Sequence, residues 1–234
     1  MKSPVKGILF DKDGTLLDYH LSWTPINRRA AHFAARGDTA LATHLLIAGG
    51  HDQTTGRVRS GSVLAAGTTT EIARTFIAAG SAFELAELTD HIDRIFRDGV
   101  ATAVPVLDLA MFFQRLKARG LVLGIASSDS ELAIRMTADR FKFSSDVEFI
   151  AGYDSGYGSK PGPGMLDAFA AHAKLKPDAI AVVGDNLHDM EMARRGGAGL
   201  AVAVLTGTGA RDELTAASDI CLASIAELEA ALFG

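Results

Sequence analysis

The chain has 234 residues, 48% of them hydrophobic, enough for one sizeable core or two modest ones. Its formal net charge is −5 and no run of Lys or Arg exceeds two residues, so it lacks the basic stripe that nucleic-acid binding needs. No stretch of about eighteen apolar residues suggests a membrane span, and Asp11-Lys12-Asp13 interrupts the opening run 1–10 too early for a secretory signal.

Val5 to Phe10 is a short apolar run of the kind that forms a buried parallel strand. From Leu17 to Arg97 no strand pattern follows. Helical spacings fill that interval: Ile26 to Arg36 stops at Gly37, and Thr39 to Ala48 stops at Gly49-Gly50. Thr70 to Ala79 stops at Gly80, and Phe83 to Phe96 near Gly99. A crossover between adjacent parallel strands rarely needs so much chain, so the interval is expected to be a helical insertion forming a second small domain. Beyond it strands and helices alternate. Val106, Leu109, Phe113 and Leu116 recur at helical spacing before Gly120, and the strand run Leu121 to Ala126 follows. Leu132, Ile134, Met136 and Phe141 fill the next helix, then come strand Val147 to Ala151 and helix Met165 to Ala173. Ala179 to Val183, Leu200 to Val204 and the weaker Ile220 to Leu222 complete the strands. This alternation predicts an α/β fold with a doubly wound parallel sheet. The single cysteine, Cys221, cannot form an internal disulfide and fits a reducing compartment. The expectation is a soluble cytoplasmic protein, monomer or homodimer.

Four segments carry chemistry. In Phe10-Asp11-Lys12-Asp13-Gly14-Thr15-Leu16, a buried strand ends and two carboxylates follow two residues apart. If extended geometry persists they share one side, at the strand end where open α/β sheets bind ligands. Both stay ionised only near a cation, and Mg2+ suits paired carboxylates. A polar strand exit is the plainer alternative. A second buried run, Ala179 to Val183, leads into Gly184-Asp185-Asn186-Leu187-His188-Asp189. Asp185 and Asp189 would face the same way if a helix begins at Asn186. Equally, Asp185 or Asn186 could be a helix cap with Asp189 in the first turn.

Ser127 and Ser128 end the run Leu121 to Ala126, and Lys160 lies in Gly158-Ser159-Lys160-Pro161-Gly162-Pro163. A hydroxyl and an ammonium so placed can bind phosphoryl oxygens, although turn and loop roles would account for each alone. An acidic protein that handles an anion must build positive potential locally.

Together and in this order, the four segments resemble the haloacid dehalogenase superfamily of phosphatases, over the whole chain. Asp11 to Leu16 matches its Asp-x-Asp-Gly-Thr-Leu element, and Leu123 to Ser127 its hydrophobic run closing with Ser or Thr. Lys160 to Pro163 matches Lys-Pro-x-Pro, and Gly184 to Asp189 matches Gly-Asp-x-x-x-Asp. Phe149 to Asp154 resembles the exit of that family's third core strand. The resemblance implies a Rossmann-like core, residues 1–16 and 98–234, with a helical cap at 17–97. It implies a phosphatase acting on a small phosphorylated metabolite, phosphoglycolate phosphatase-like, through an aspartyl-phosphate. Asp11 would be the nucleophile and Asp13 the acid and base. Mg2+ would be held by Asp11, the backbone carbonyl of Asp13 and Asp185, with Asp189 supporting it or orienting Lys160. Ser127, Ser128 and Lys160 would hold the phosphoryl group. Asp13 favours ester hydrolysis or transfer to an alcohol over dehalogenation, which leaves a sugar-phosphate mutase, or a non-catalytic phospho-ligand module, as alternatives. Ser128-Asp129 stands where many phosphoglycolate phosphatase-like members carry Asn-Lys, and Gly162 replaces a bulkier residue.

The cap would choose the ester. Tyr19, His20 and Trp23 follow the first motif closely enough to line the entrance, or to pack the cap. His51, Arg57 and Arg59 lie in a polar loop where a guanidinium would either clamp a second anionic group or remain solvated. His188 is expected at the surface, and His32, His44, His91 and His172 have no metal-ligand spacing.

Overall fold

The computed structural model describes residues 4–234, so residues 1–3 of the opening run lie outside it. Six parallel strands form one sheet: β1 (Gly7–Phe10), β2 (Val122–Ala126), β3 (Phe149–Ala151), β4 (Ile180–Gly184), β5 (Leu200–Val204) and β6 (Ile220–Leu222). Their order is β3-β2-β1-β4-β5-β6, so β1 lies at the centre, Phe10 between Ile125 and Val183. The helices are α1 (Tyr19–Ala34), α2 (Thr39–Gly49), α3 (Val63–Ala66), α4 (Thr69–Ala78), α5 (Leu85–Gly99) and α6 (Leu109–Ala118). After β2 come α7 (Glu131–Arg140), α8 (Gly164–Ala173), α9 (Leu187–Arg195), α10 (Arg211–Ala217) and α11 (Leu228–Phe233). No helix among the described residues is long and apolar enough to cross a membrane.

The strand sequences are apolar throughout because both faces of the sheet are covered. Ile8, Phe10, Leu123, Ile125 and Val183 face α6, α7 and α11 in one apolar layer. Leu9, Ala126, Val182 and Ala203 face α8, α9 and α10 in the other. Glycine lets α8 approach closely: a β-carbon at Gly124 would stand 2.8 Å from the Phe169 ring.

Helices α1 to α5, all between β1 and β2, enclose a separate apolar cluster that includes Trp23, Leu45, Phe76, Leu88, Ile92 and Phe96. Two local expectations change. Helix α1 begins at Tyr19 rather than Ile26 and continues through Pro25. The Asp18 carboxylate caps it by accepting from the Leu21 N–H at 2.9 Å, and Trp23 packs edge-on to Phe96 at 4.6 Å. Packing here overrides the local cost of proline. In α7, Ile134 points inward, but Leu132 and Met136 are 53% and 38% exposed, and the small Ala133 and Ala138 take the buried positions.

Phe113 is fully buried, stacked on Phe143 at 4.4 Å and tilted against Phe10 at 5.5 Å. Phe113→Ala should cost about 3–5 kcal/mol of stability through lost transfer energy and the cavity left behind. Urea unfolding checks this, and a loss below about 1 kcal/mol would contradict the packing described.

Candidate active site

The carboxyl ends of β1, β2 and β4 converge on one edge of the sheet, beside the point between β1 and β4 where the strand order reverses. Asp11 leaves β1 with its N–H still donating to the Val183 carbonyl at 2.8 Å. The chain then folds back: Gly14, at φ +87°, donates to the Leu17 carbonyl, and Leu16 donates to the Lys12 carbonyl. A β-carbon at Gly14 would lie 2.5 Å from Asp185 Cγ, so glycine serves both the turn and the close approach of Asp185. β2 delivers Ser127, Ser128 and Asp129, the loop between β3 and α8 delivers Lys160, and β4 delivers Asp185. Asn186 caps α9, and Asp189 lies in its first turn.

Lys160 joins three of these segments. Its buried Nζ lies 2.5 Å from Asp11 Oδ1 and 2.6 Å from Asp189 Oδ1. The second Asp189 oxygen accepts from the Asn186 N–H at 3.1 Å, so this residue both caps the helix and pairs with lysine. Asp185 accepts from the Thr208 N–H at 2.8 Å. Asp11, Asp185 and Asp189 each offer an oxygen, and the three atoms lie within 4.8 Å of one another. Burial pushes the Asp11 carboxyl up to about 7, with Asp189 and Asp13 adding repulsion and Lys160 opposing it. Burial, reinforced by Asp11 and Asp189, also holds Asp185 well above the usual carboxylate range. For Lys160, burial pulls downward, but its two carboxylate partners prevail and raise it. Three hard oxygen donors carrying more negative charge than one ammonium can balance suit a small divalent cation.

Asp13 enters a different pairing. Lys12, 2% exposed, places Nζ 2.8 Å from Asp13 and 2.9 Å from Asp129. The same ammonium stands 5.5 Å from the Trp23 ring centroid. Burial raises the Asp13 carboxyl, Lys12 opposes it, and Trp23 adds a small downward influence. The Asp13 side chain therefore stands outside the group of three carboxylates. Ser127 Oγ accepts from the Asp129 N–H at 3.1 Å, leaving its own proton for an incoming group. Ser128 instead donates to the Ala66 carbonyl of α3 at 3.1 Å.

These side chains form the floor of a cavity of about 560 Å³, open mouth included, beneath residues from α1, α3, α4 and α5. Asp11, Asp13, Ser127, Ser128, Lys160, Asp185, Asp189 and Trp23 all line it. His188, expected at the surface, lines it too, whereas His20 and Arg57 do not. Arg57 is exposed and acts on His20, whose pKa is lowered first by partial burial and then by that guanidinium.

The family model for haloacid dehalogenase-like hydrolases matches residues 5–197. The chain belongs to this family. No curated protein matches significantly, but solved structures of similar fold are numerous. One is a predicted phosphoglycolate phosphatase from Haemophilus somnus, 16% identical, with a TM-score of 0.75 and 99% of each chain covered. Another is CbbY from Rhodobacter sphaeroides in complex with phosphate, 21% identical, with a TM-score of 0.71 and 96% of each chain covered. A hydrolase from Pseudomonas syringae is 19% identical, with a TM-score of 0.72 and 98% of each chain covered.

This haloacid dehalogenase-like hydrolase also uses residues that sequence reasoning passed over. Lys12 sits between two noted aspartates, yet its pairing with Asp129 needs β1 and β2 side by side. The segment Thr206 to Gly209, after β5, wraps Asp185: a β-carbon at Gly207 would lie 1.7 Å from Asp185 Oδ2. Asn186 Nδ2 donates to Thr208 Oγ1 at 3.1 Å. The glycines alternating with threonines after a buried strand were the available signal.

Lys12→Ala would strand Asp13 and Asp129 without their cation in a buried place. The expected cost is about 3–5 kcal/mol, read from urea unfolding. A change within about 0.5 kcal/mol, as for a surface lysine, would contradict the pairing.

Proposed function

We propose that the protein is a Mg2+-dependent phosphatase that hydrolyses a small phosphate monoester through an aspartyl-phosphate on Asp11, with residues 17–97 acting as the cap over the site. The observation that carries this reading is the meeting of Asp11, Lys160 and Asp189 with Asp185 at one sheet edge. Asp11, Asp185 and Asp189 would hold the metal, which when bound supplies Lewis-acid stabilisation of phosphoryl charge.

The chain's own residues divide the remaining work. Asp11 attacks phosphorus, forming an O–P bond as the P–O bond to the alcohol breaks. Asp13, which lines the cavity beside Asp11, gives a proton to the departing alkoxide. It then takes a proton from water as the water oxygen attacks the aspartyl-phosphate, releasing phosphate and restoring Asp11. Lys160 and Ser127 bind phosphoryl oxygens and orient the group. Ser128 holds the cap instead, through its bond to Ala66.

Wild-type protein should release phosphate from p-nitrophenyl phosphate with Mg2+, and should lose this activity with EDTA. Asp11→Asn should abolish it while circular dichroism shows an unchanged fold. Wild-type turnover in that variant would refute the nucleophile. Conversion of a hexose 1-phosphate to the 6-phosphate without phosphate release would mark a mutase instead.

A further inference from the structure

The cavity is chemically two-faced. Its floor carries the carboxylates and Lys160, whereas its roof is built from Tyr19, Trp23, Leu64, Ala66, Ile72 and Phe96. The aromatic part is rigid: Trp23 packs edge-on to Phe96 and lies parallel to Tyr19 at 6.3 Å. The Tyr19 hydroxyl is already committed, donating to the Leu64 carbonyl and accepting from Asn27 Nδ2.

Among the described residues that line the cavity, Lys160 is the only lysine or arginine, and Asp11 and Asp189 occupy it. Arg28, Arg57, Arg59, Arg74 and Arg97, arginines on or between the roof helices, do not line the cavity, and all but the half-buried Arg97 are exposed. An anionic leaving group would therefore lose its hydration against an apolar roof and face the carboxylates below. Lys12, 5.5 Å from the Trp23 ring centroid, does not line the cavity and is paired with Asp13 and Asp129. His188 is the one imidazole in the lining among the described residues. An apolar group loses nothing by the same transfer and gains contact with the rings. One polar feature interrupts the roof. Asn27, 1% exposed, lines the cavity, and its Oδ1 has no hydrogen-bond partner among the described residues.

Resting on the phosphatase reading above, we propose that the alcohol released is uncharged and predominantly apolar, of aromatic or branched-alkyl character. Hydroxy acids and sugars bearing a second phosphate are excluded by the same surface. The Asn27 amide oxygen accepts from a hydroxyl or N–H when the leaving group carries one.

Benzyl phosphate and 4-carboxybenzyl phosphate test this, because they share shape and leaving-group chemistry and differ by one distal charge. kcat/KM should favour benzyl phosphate by about tenfold or more, with phosphoglycolate weaker still. Ala66→Arg, which adds a cation to the roof, should narrow the gap by improving the carboxylated ester. Trp23 is the sole tryptophan and lines the cavity, so its fluorescence in Asp11→Asn protein reports binding without turnover. Benzyl phosphate should bind that variant more tightly than its carboxylated analogue. Equal or reversed preference in both measurements, with phosphatase activity intact, would overturn the proposal while sparing the phosphatase reading. Inactivity of the Mg2+-loaded wild type on every ester would remove both.

Discussion

The site depends on balancing buried negative charge. Five carboxylates, from Asp11, Asp13, Asp129, Asp185 and Asp189, crowd one edge of the sheet against the two ammonium groups of Lys12 and Lys160. Each ammonium bridges two carboxylates that come from different segments, and Asp185 has backbone and hydroxyl donors but no direct lysine partner among the described residues. In water such a cluster would fly apart or bind cations. Buried, it must take up protons, capture a metal, or both. The raised carboxyls of Asp11 and Asp185 express that demand.

The fold supplies the rigidity that this crowding requires. Parallel strands buried on both faces aim their ends at one point, and glycines at 14 and 207 clear the space that Asp185 occupies. The two lysines also sort the carboxylates into two groups. Lys160 gathers Asp11 with Asp189, while Lys12 draws Asp13 aside with Asp129. Asp11 and Asp13, two residues apart in sequence, thereby meet different partners. Trp23, which lines the cavity, ties this second pair to the helical region by facing Lys12.

Much of this was legible in the sequence because parallel strands buried on both sides must be apolar throughout. The runs ending at Phe10, Ala126 and Val183 consequently located the sheet and the residues that leave it. The helical insertion was legible for the opposite reason, since glycine stops punctuate its spacings. What stayed hidden depends on neighbours distant in sequence. Lys12 looks like a solvated cation until Asp129 is set beside it, and Ser128 looks like a phosphate ligand until α3 offers it a carbonyl. The start of α1 was obscured by Pro25, whose local penalty is outweighed by packing of Tyr19 and Trp23. Arg57 suggested an anion clamp on composition alone, and the structure puts it outside the cavity.

Calorimetric titration of Mg2+ into the wild-type protein and into Asp185→Asn tests the charge-balance account most directly. The account predicts that the wild type binds a single ion per chain and gains thermal stability with it. It predicts that removing one carboxylate charge abolishes or greatly weakens that binding. Absence of Mg2+ binding by the wild type, or equal affinity in the variant, would contradict it.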